Sequence, residues 1–405
     1  MGAVNPLLLA GEGRRGGRVI LISHSREVGG AEVHLDRLIR FLRRELGDTI
    51  ELVCRPDTAM DRWCAGIEAA GIRVHRVELT RPSGYWRLLR ILRGARLVHL
   101  HLAHPVGKYQ VVAAAAARAL GRPTIATHHL ALEEHEIGLG PRQRAAWMRV
   151  FGLYRRLIDR HIAISSYGKE VLTRRYRFDP ARISVIYNGT DVDRFRPADA
   201  PERALQRGRL LGELTGSPPV DTPLVCTVAR LSPQKGLTDL IEAARSLAKD
   251  LPSVRYVVLG EGESRATLTA AVSAAGLDRV LTLAGSRPPE EVADWLQSAD
   301  LFVLPTHFEG GPAMALMEAM ASGCAVIATR VGGSEELIPD AQTGCLVPAR
   351  QPAALAAAIK ELLRDTERRS RLGARARARV AVAFDIRQSH ALTLDLYRVV
   401  AGGLL

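Results

Sequence analysis

Short runs of β-branched and aliphatic residues alternate with longer amphipathic stretches along the whole chain, and this rhythm constrains the fold more than any other feature. The first half offers RVILIS (18–23), TIELVC (49–54), LVHLHL (97–102), TIAT (124–127) and HIAIS (161–165). The second half repeats the pattern with LVCTVA (224–229), RYVVLG (255–260), VLTLAG (280–285), LFVLP (301–305) and AVIAT (325–329). Apolar runs of this length, separated by helical periodicity, mark parallel strands covered on both faces. The expected class is therefore α/β, with two Rossmann-like, doubly wound sheets in tandem. A chain of 405 residues has room for both, since a domain takes roughly 100–200 residues. Two such domains facing each other leave a cleft, and the carboxyl ends of their strands aim into it.

The stretch 197–223 is rich in Pro, Gly and charge (PADAPER, GELTGSPPVDTP) and is expected to link the two cores. The resulting division is 1–196, linker 197–223, 224–384, and a terminal amphipathic helix in 385–405 that packs back on the first domain. No window reaches the roughly 20 uninterrupted apolar residues of a spanning helix. The opening MGAVNPLLLAGEGRR has an apolar patch with no positive charge before it, reads poorly as a secretory signal, and is expected to be a frayed tail. Five cysteines (Cys54, Cys64, Cys226, Cys324, Cys345), none spaced C-x-x-C, fit free thiols in a reducing cytoplasm.

The formal charge of +13 is unevenly spread: residues 1–200 hold 33 Lys+Arg against 20 Asp+Glu, and residues 201–405 hold 23 against 23. The excess on the first half points to an anionic partner there, or to arginine-rich solvated helix faces. Arg87, Arg90 and Arg93 recur every three residues in GYWRLLRILR, and 142–160 mixes Arg142, Arg149, Arg156 and Arg160 with Trp147, Phe151 and Tyr154. Both stretches read as basic amphipathic helices, lying on an anionic leaflet or packed on the sheet with arginines outward. With 5% aromatics and no stacking series, nucleic acid is excluded as a partner.

Several motifs carry chemistry. GEGRRG (11–16) has the letters of a dinucleotide fingerprint but precedes the first strand instead of following one. HLHLAH (99–104) resembles a metal-binding H-x-H-x-D-H with Ala103 in place of the Asp, and an ordinary strand end is the expected reading. His128, His129 and His135 cluster after a strand, where a cleft histidine would stand. Gly29, Gly30, Ala31 and Glu32 open an amphipathic helix over 34–46, either as a phosphate-binding helix start or as a tight turn. Arg230 and Lys235 follow LVCTVA on a Pro-containing loop and can converge on a diphosphate. In FEGGPAMALMEAMASG (308–323), Glu309 sits in a loop after a strand, Gly310 and Gly311 give backbone access, and Pro312 suits a helix start. Glu318, within a largely apolar helix, needs a polar partner: sugar hydroxyls or an internal salt bridge.

The order GGAE, IYNGTDVDRFRP, ARLSPQKGL, VLGEGE and EGGPAMALMEAMASGCAVIATRVGGSEEL resembles the nucleotide-sugar glycosyltransferases of family four, and the resemblance covers nearly the whole chain. It implies the GT-B architecture, two Rossmann-like domains with the nucleotide on the second and the acceptor on the first, and glycosyl transfer with retention, without metal or cofactor. On that resemblance Arg230 and Lys235 neutralise the departing diphosphate and Glu318 takes the ribose hydroxyls. Glu309 and the amides of Gly310, Gly311, Pro312 and Ala313 hold the donor sugar; Pro312, lacking an N–H, contributes only its place in that turn. Gly29 and Gly30 close over the donor phosphates, and His129, with His128 as rival, is the cleft histidine. Two departures stand out: eight residues separate Glu309 from Glu318 where the family has seven, and Ala229 replaces a glycine before Arg230. The expected partners are a nucleoside-diphosphate sugar and a glycan or lipid-linked acceptor, handled in the cytoplasm, with a peripheral membrane contact through the basic half. A nucleotide-sugar epimerase of the same fold and a non-catalytic glycan-assembly subunit are the competing readings.

Overall fold

The computed structural model describes residues 17–403 apart from 27, 80, 103–106, 132–140 and 214–217. GEGRRG, the opening tail, Ala103, His104 and His135 lie outside the described residues. The chain forms two parallel sheets. The first comprises β1 (Arg18–Ser23), β2 (Ile50–Cys54), β3 (Arg73–Arg76), β4 (Ala95–Leu102), β5 (Thr124–His128), β6 (Arg160–Ala163) and β7 (Ile183–Val185), in the order β3-β2-β1-β4-β5-β6-β7. The second comprises β8 (Leu224–Val228), β9 (Arg255–Leu259), β10 (Leu281–Gly285), β11 (Leu301–Leu304), β12 (Ala325–Thr329) and β13 (Cys345–Val347), in the order β10-β9-β8-β11-β12-β13. Every pairing is parallel. In each sheet the order reverses beside the first strand, between β1 and β4 and between β8 and β11, which is where a doubly wound sheet opens its ligand crevice.

Strand alternation divides each core in two. Ile20, Ile22, Val98 and Leu100 pack under the helices Pro82–Arg93, Lys108–Ala119 and Pro141–Leu157. Val19, Leu21 and Leu97 pack under Gly30–Leu46 and the terminal helix Ile386–Val400, through Leu35, Leu38, Leu394 and Tyr397. Tyr397 Oη lies 2.6 Å from His99 Nδ1. The chain reaches that position by crossing over at Thr190, whose N–H donates to Phe384 and whose carbonyl accepts from Ile386.

The stretch 197–223 is not a loose connector. Asp199 caps a helix over Ala200–Gly212, and Leu210 and Leu211 enter the second core beside Phe302 and Trp295. Arg207 and Arg203 both reach Asp300 at the foot of β11, at 2.8 and 3.3 Å. The helix is amphipathic, and its apolar stripe was hidden by the turn-forming residues on either side. Among the described residues no helix is long and apolar enough to cross a membrane.

Candidate functional site

The site is built from loops at the carboxyl ends of both sheets. After β8, the turn Pro233–Lys235 ends at Gly236, whose φ of 59° is left-handed and whose added Cβ would fall 2.0 Å from the Pro305 carbonyl. Only glycine fits there. The contact brings the loop after β8 against the loop after β11, and the two are laced: His307 N–H donates to the Gln234 carbonyl at 2.8 Å, and Gln234 Nε2 donates to the Phe308 carbonyl at 2.9 Å. The product of this lacing is an ion pair between Lys235 Nζ and Glu309 Oε1, with side-chain exposures of 17% and 11%. Arg230 stands exposed at the mouth of the same loop.

Glycines 310 and 311 form the seam between the domains. A Cβ on Gly310 would sit 2.8 Å from Leu130 Cα and 3.0 Å from the His129 carbonyl, and one on Gly311 would sit 2.9 Å from Ile164 Cγ1. Ser165 Oγ donates to the Gly310 carbonyl at 3.0 Å. Ala313 then starts the helix Met314–Ala321 with no side-chain cap, which leaves its first amides without a side-chain acceptor. One turn in, Glu318 is buried and accepts from Arg37 Nη2, on the first domain, at 3.3 Å. A second bridge joins the domains: Glu336 accepts from the N–H of Ser166 at 2.9 Å, the N–H of Tyr167 at 3.0 Å and Tyr187 Oη at 2.6 Å.

The first-domain wall is histidine-rich. His129 is buried, with Nε2 3.2 Å from His101 Nδ1 and Nδ1 3.5 Å from Asn188 Nδ2. Its ring lies 5.4 Å from that of His34 on helix Gly30–Leu46. Burial, with His34 and His99 nearby, pushes the His129 pKa well below the usual imidazole range, so the ring is neutral. His128 points to the opposite face, against His161, Tyr154 and Phe178. At the crevice between β1 and β4, His24 stacks on Tyr109 with ring centres 3.7 Å apart, its pKa held to about 4 by burial and Arg55. Among the described residues no group of three or more His, Cys, Asp or Glu is arranged to hold a metal ion.

Two family models divide the chain between them. One, described as Glycosyltransferase Family 4, matches residues 28–194; the other, Glycosyl transferases group 1, matches 216–379. A GDP-mannose-dependent alpha-mannosyltransferase from Mycobacterium tuberculosis is 32% identical over 383 residues, covering 88% of this chain and 93% of the relative. The chain belongs to glycosyltransferase family 4. Another relative, a D-inositol 3-phosphate glycosyltransferase from Xylanimonas cellulosilytica, is 36% identical over 250 residues, 59% of this chain. The match spans 56% of that relative's own length and 51% of the Streptomyces avermitilis protein of the same name. Anabaena HepE, solved in complex with UDP, superposes with a TM-score of 0.80 at 21% identity, over 94% of this chain and all of that one. Sucrose-phosphate synthase from Thermosynechococcus elongatus superposes at 0.74, also at 21% identity, over 95% and 99%. These likenesses fix the fold as GT-B.

Of the residues singled out in the sequence, the structure gathers Lys235, Glu309, Gly310, Gly311, Pro312, Ala313 and Glu318 on one wall, and Gly30, 3.5 Å from Met314 by its added Cβ, opposite them. Gly29 caps the same helix, and its N–H donates to Glu32 at 3.0 Å. His129 enters through its backbone, beside Gly310, while its ring turns toward His101 and Asn188. Arg37, Asn188, Glu336 and His101 were missed. Arg37 lies seven residues after Gly30, a spacing that puts both on one stripe of the helix.

Proposed function

We propose that the chain moves a glycosyl group from a nucleoside-diphosphate sugar to an acceptor, with retention of anomeric configuration and without metal. The observation that carries this reading is the second-domain wall, where Lys235, Glu309, the paired glycines and an uncapped helix start converge within one cleft. Arg230 and Lys235 offset the charge that develops on the departing diphosphate, the kind of electrostatic stabilisation that supplies the largest part of many rate enhancements. Lys235 has three N–H donors, so it can keep Glu309 and still reach a phosphate oxygen. The amides at the start of Met314–Ala321 add to that anion site. Glu318 accepts from the ribose hydroxyls, and Glu309 with the 310–313 backbone orients the sugar. On the front-face route the anomeric C–O bond to the diphosphate breaks and the acceptor oxygen bonds to the same face. The departing phosphate oxygen takes the acceptor's proton, so no protein base is required.

The acceptor lies against the first domain, where His24, Tyr109 and the buried His129 line the strand ends. The relatives are named for GDP-mannose and for inositol phosphate, and a structural neighbour binds UDP, so GDP- and UDP-sugars lead the donor list. A lipid-linked or envelope glycan acceptor, met in the cytoplasm at an anionic leaflet, fits the outer face of the first domain. The helices Pro82–Arg93, Lys108–Ala119 and Pro141–Leu157 carry no Asp or Glu, and Trp86 is 67% exposed beside Arg87 and Arg90.

The test is release of nucleoside diphosphate from UDP-, GDP-, ADP- and dTDP-sugars with EDTA present, using wild type and Glu318→Ala. Release from one donor, lost in the variant, is expected. Epimerised donor without transfer would favour the epimerase reading. No turnover with any donor and any polyprenyl or glycan acceptor would favour a binding subunit.

A further inference from the structure

The nucleotide wall has one partner that comes from the other domain. On helix Gly30–Leu46, Gly30, His34 and Arg37 recur at i, i+4 and i+7 and share one face; on Met314–Ala321, Met314 and Glu318 recur at i and i+4. Gly30 approaches Met314, and seven residues on Arg37 reaches Glu318, so the two helices meet across the cleft at two points. The ion pair is largely shielded, with side-chain exposures of 16% and 11%. Arg37 Nη1 is also buried and has no hydrogen-bond partner among the described residues, so the guanidinium has a donor to spare.

Burial raises the Glu318 carboxyl above its ordinary pKa, and Arg37 first, then Arg194, offset only part of that rise. Among the described residues, Arg37 and Arg194 are the charged groups that act on it. Helix Thr366–Ala383 sends Arg377 to the carbonyls of Phe195 and Ala321, and helix Pro289–Ser298 contributes Val292, Trp295 and Leu296 to the shared core. His34, one turn before Arg37, is neutral, its pKa lowered to about 4 by burial. A shielded carboxylate keeps its charge only while a cation stands beside it. A protonated Glu318 would have one acceptor oxygen fewer for ribose.

We infer that Arg37 is a positioning residue of the nucleotide site, holding Glu318 ionised and turned toward the ribose from the opposite domain. The inference rests on the assignment of Glu318 to the ribose made above. It couples two events: Glu318 is correctly charged and oriented only when the first-domain helix lies against the second, so the site is completed by domain closure.

The experiment is calorimetric titration of the full chain with UDP, GDP, ADP and dTDP, between about pH 6 and about pH 8, for wild type, Arg37→Met, Arg37→Lys and Glu318→Gln. Taking each variant against wild type at the same pH cancels the titration of the nucleotide's own phosphate. Arg37→Met is expected to bind about tenfold more weakly at neutral pH, with the deficit shrinking as pH rises, because the carboxyl that has lost its counter-ion is protonated at the acid end and ionised at the basic end. Arg37→Lys gives a smaller deficit with the same pH trend, and decides the matter if the Met variant does not fold. Glu318→Gln, which has no charge to restore, stays weak throughout. Wild-type affinity or tighter in Arg37→Met, or a deficit equal at every pH, overturns the inference while leaving the nucleotide site intact. Failure of wild type to bind any of UDP, GDP, ADP and dTDP overturns the reading of the site and takes the inference with it.

Discussion

The two walls of the cleft are made in different ways. The second-domain wall comes from two short loops and one helix start, each following a strand, and its side chains sit in ion-pair contacts: Lys235 with Glu309, and Glu318 with Arg37 of the first domain. The first-domain wall comes from residues scattered from His24 to His390, and apart from Arg37 and Asn188 the polar groups named on it are imidazoles packed on one another. Ring centres of His99 and His101 are 4.1 Å apart, those of His101 and His129 5.5 Å, and those of His34 and His390 6.0 Å. One wall is suited to receive a charged phosphate group. The other keeps its imidazoles buried and packed on one another.

The difference can be broken most forcefully with acid. The histidines whose pKa values are lowered all belong to the first domain or to the helix that lies on it, with His99, His128 and His390 at about 3 and His24 and His34 at about 4. A group whose folded pKa is depressed below 6.5 contributes its full stability above that value and loses it as pH falls toward the folded pKa, because the unfolded chain takes up protons that the folded one refuses. Each fully buried histidine of this kind withdraws about 1.4 kcal/mol per pH unit through that window. Hydrogen exchange at neutral pH and again near the middle of the window should show the first domain opening while the second stays protected. Simultaneous opening of both would mean that the imidazoles do not govern acid stability.

Substitution separates the walls next. Lys235→Ala is expected to lower nucleoside diphosphate release by about 10²- to 10³-fold, the usual consequence of removing one transition-state charge partner. His129→Ala, on the first-domain wall, should cost less in turnover and more in stability, and equal losses from the two variants would erase the distinction. Gly310→Val places a branched side chain where even a Cβ meets Leu130 Cα at 2.8 Å. Turnover should fall about tenfold or more with little change in melting, since the clash lies between domains and not within a core. The smallest effect belongs to Tyr397→Phe, which removes the 2.6 Å contact with His99. About 1 kcal/mol of stability should be lost in a urea melt, with turnover unchanged.

The contrast also governs what could be read from sequence. The second wall was legible because its residues are close in the chain and follow strands whose apolar runs are unmistakable. The first was not, because His34, Arg37, His101 and Asn188 meet only through the fold. HLHLAH already placed His99 and His101 on one face of β4, but nothing in the letters showed that His129 completes the row. The missed strands have a similar cause. β3 (RVHR) is a charged edge strand, with Arg73 and His75 reaching Glu51 at 3.2 and 2.8 Å, and β7 and β13 have three residues each. Such segments bury too little apolar surface to announce themselves. The helix Ala200–Gly212 was obscured for the opposite reason, since Pro and Gly on either side suggest a linker while Leu210 and Leu211 supply the core.

The central claim is that one nucleotide-sugar site is made by both walls acting together, and hydrogen exchange with and without UDP or GDP tests it most directly. The account predicts slowed exchange in 230–236 and 309–321 on the second domain, and at the same nucleotide concentration in 30–37 and 166–170 on the first. Protection confined to one domain, or appearing away from these segments, would contradict it.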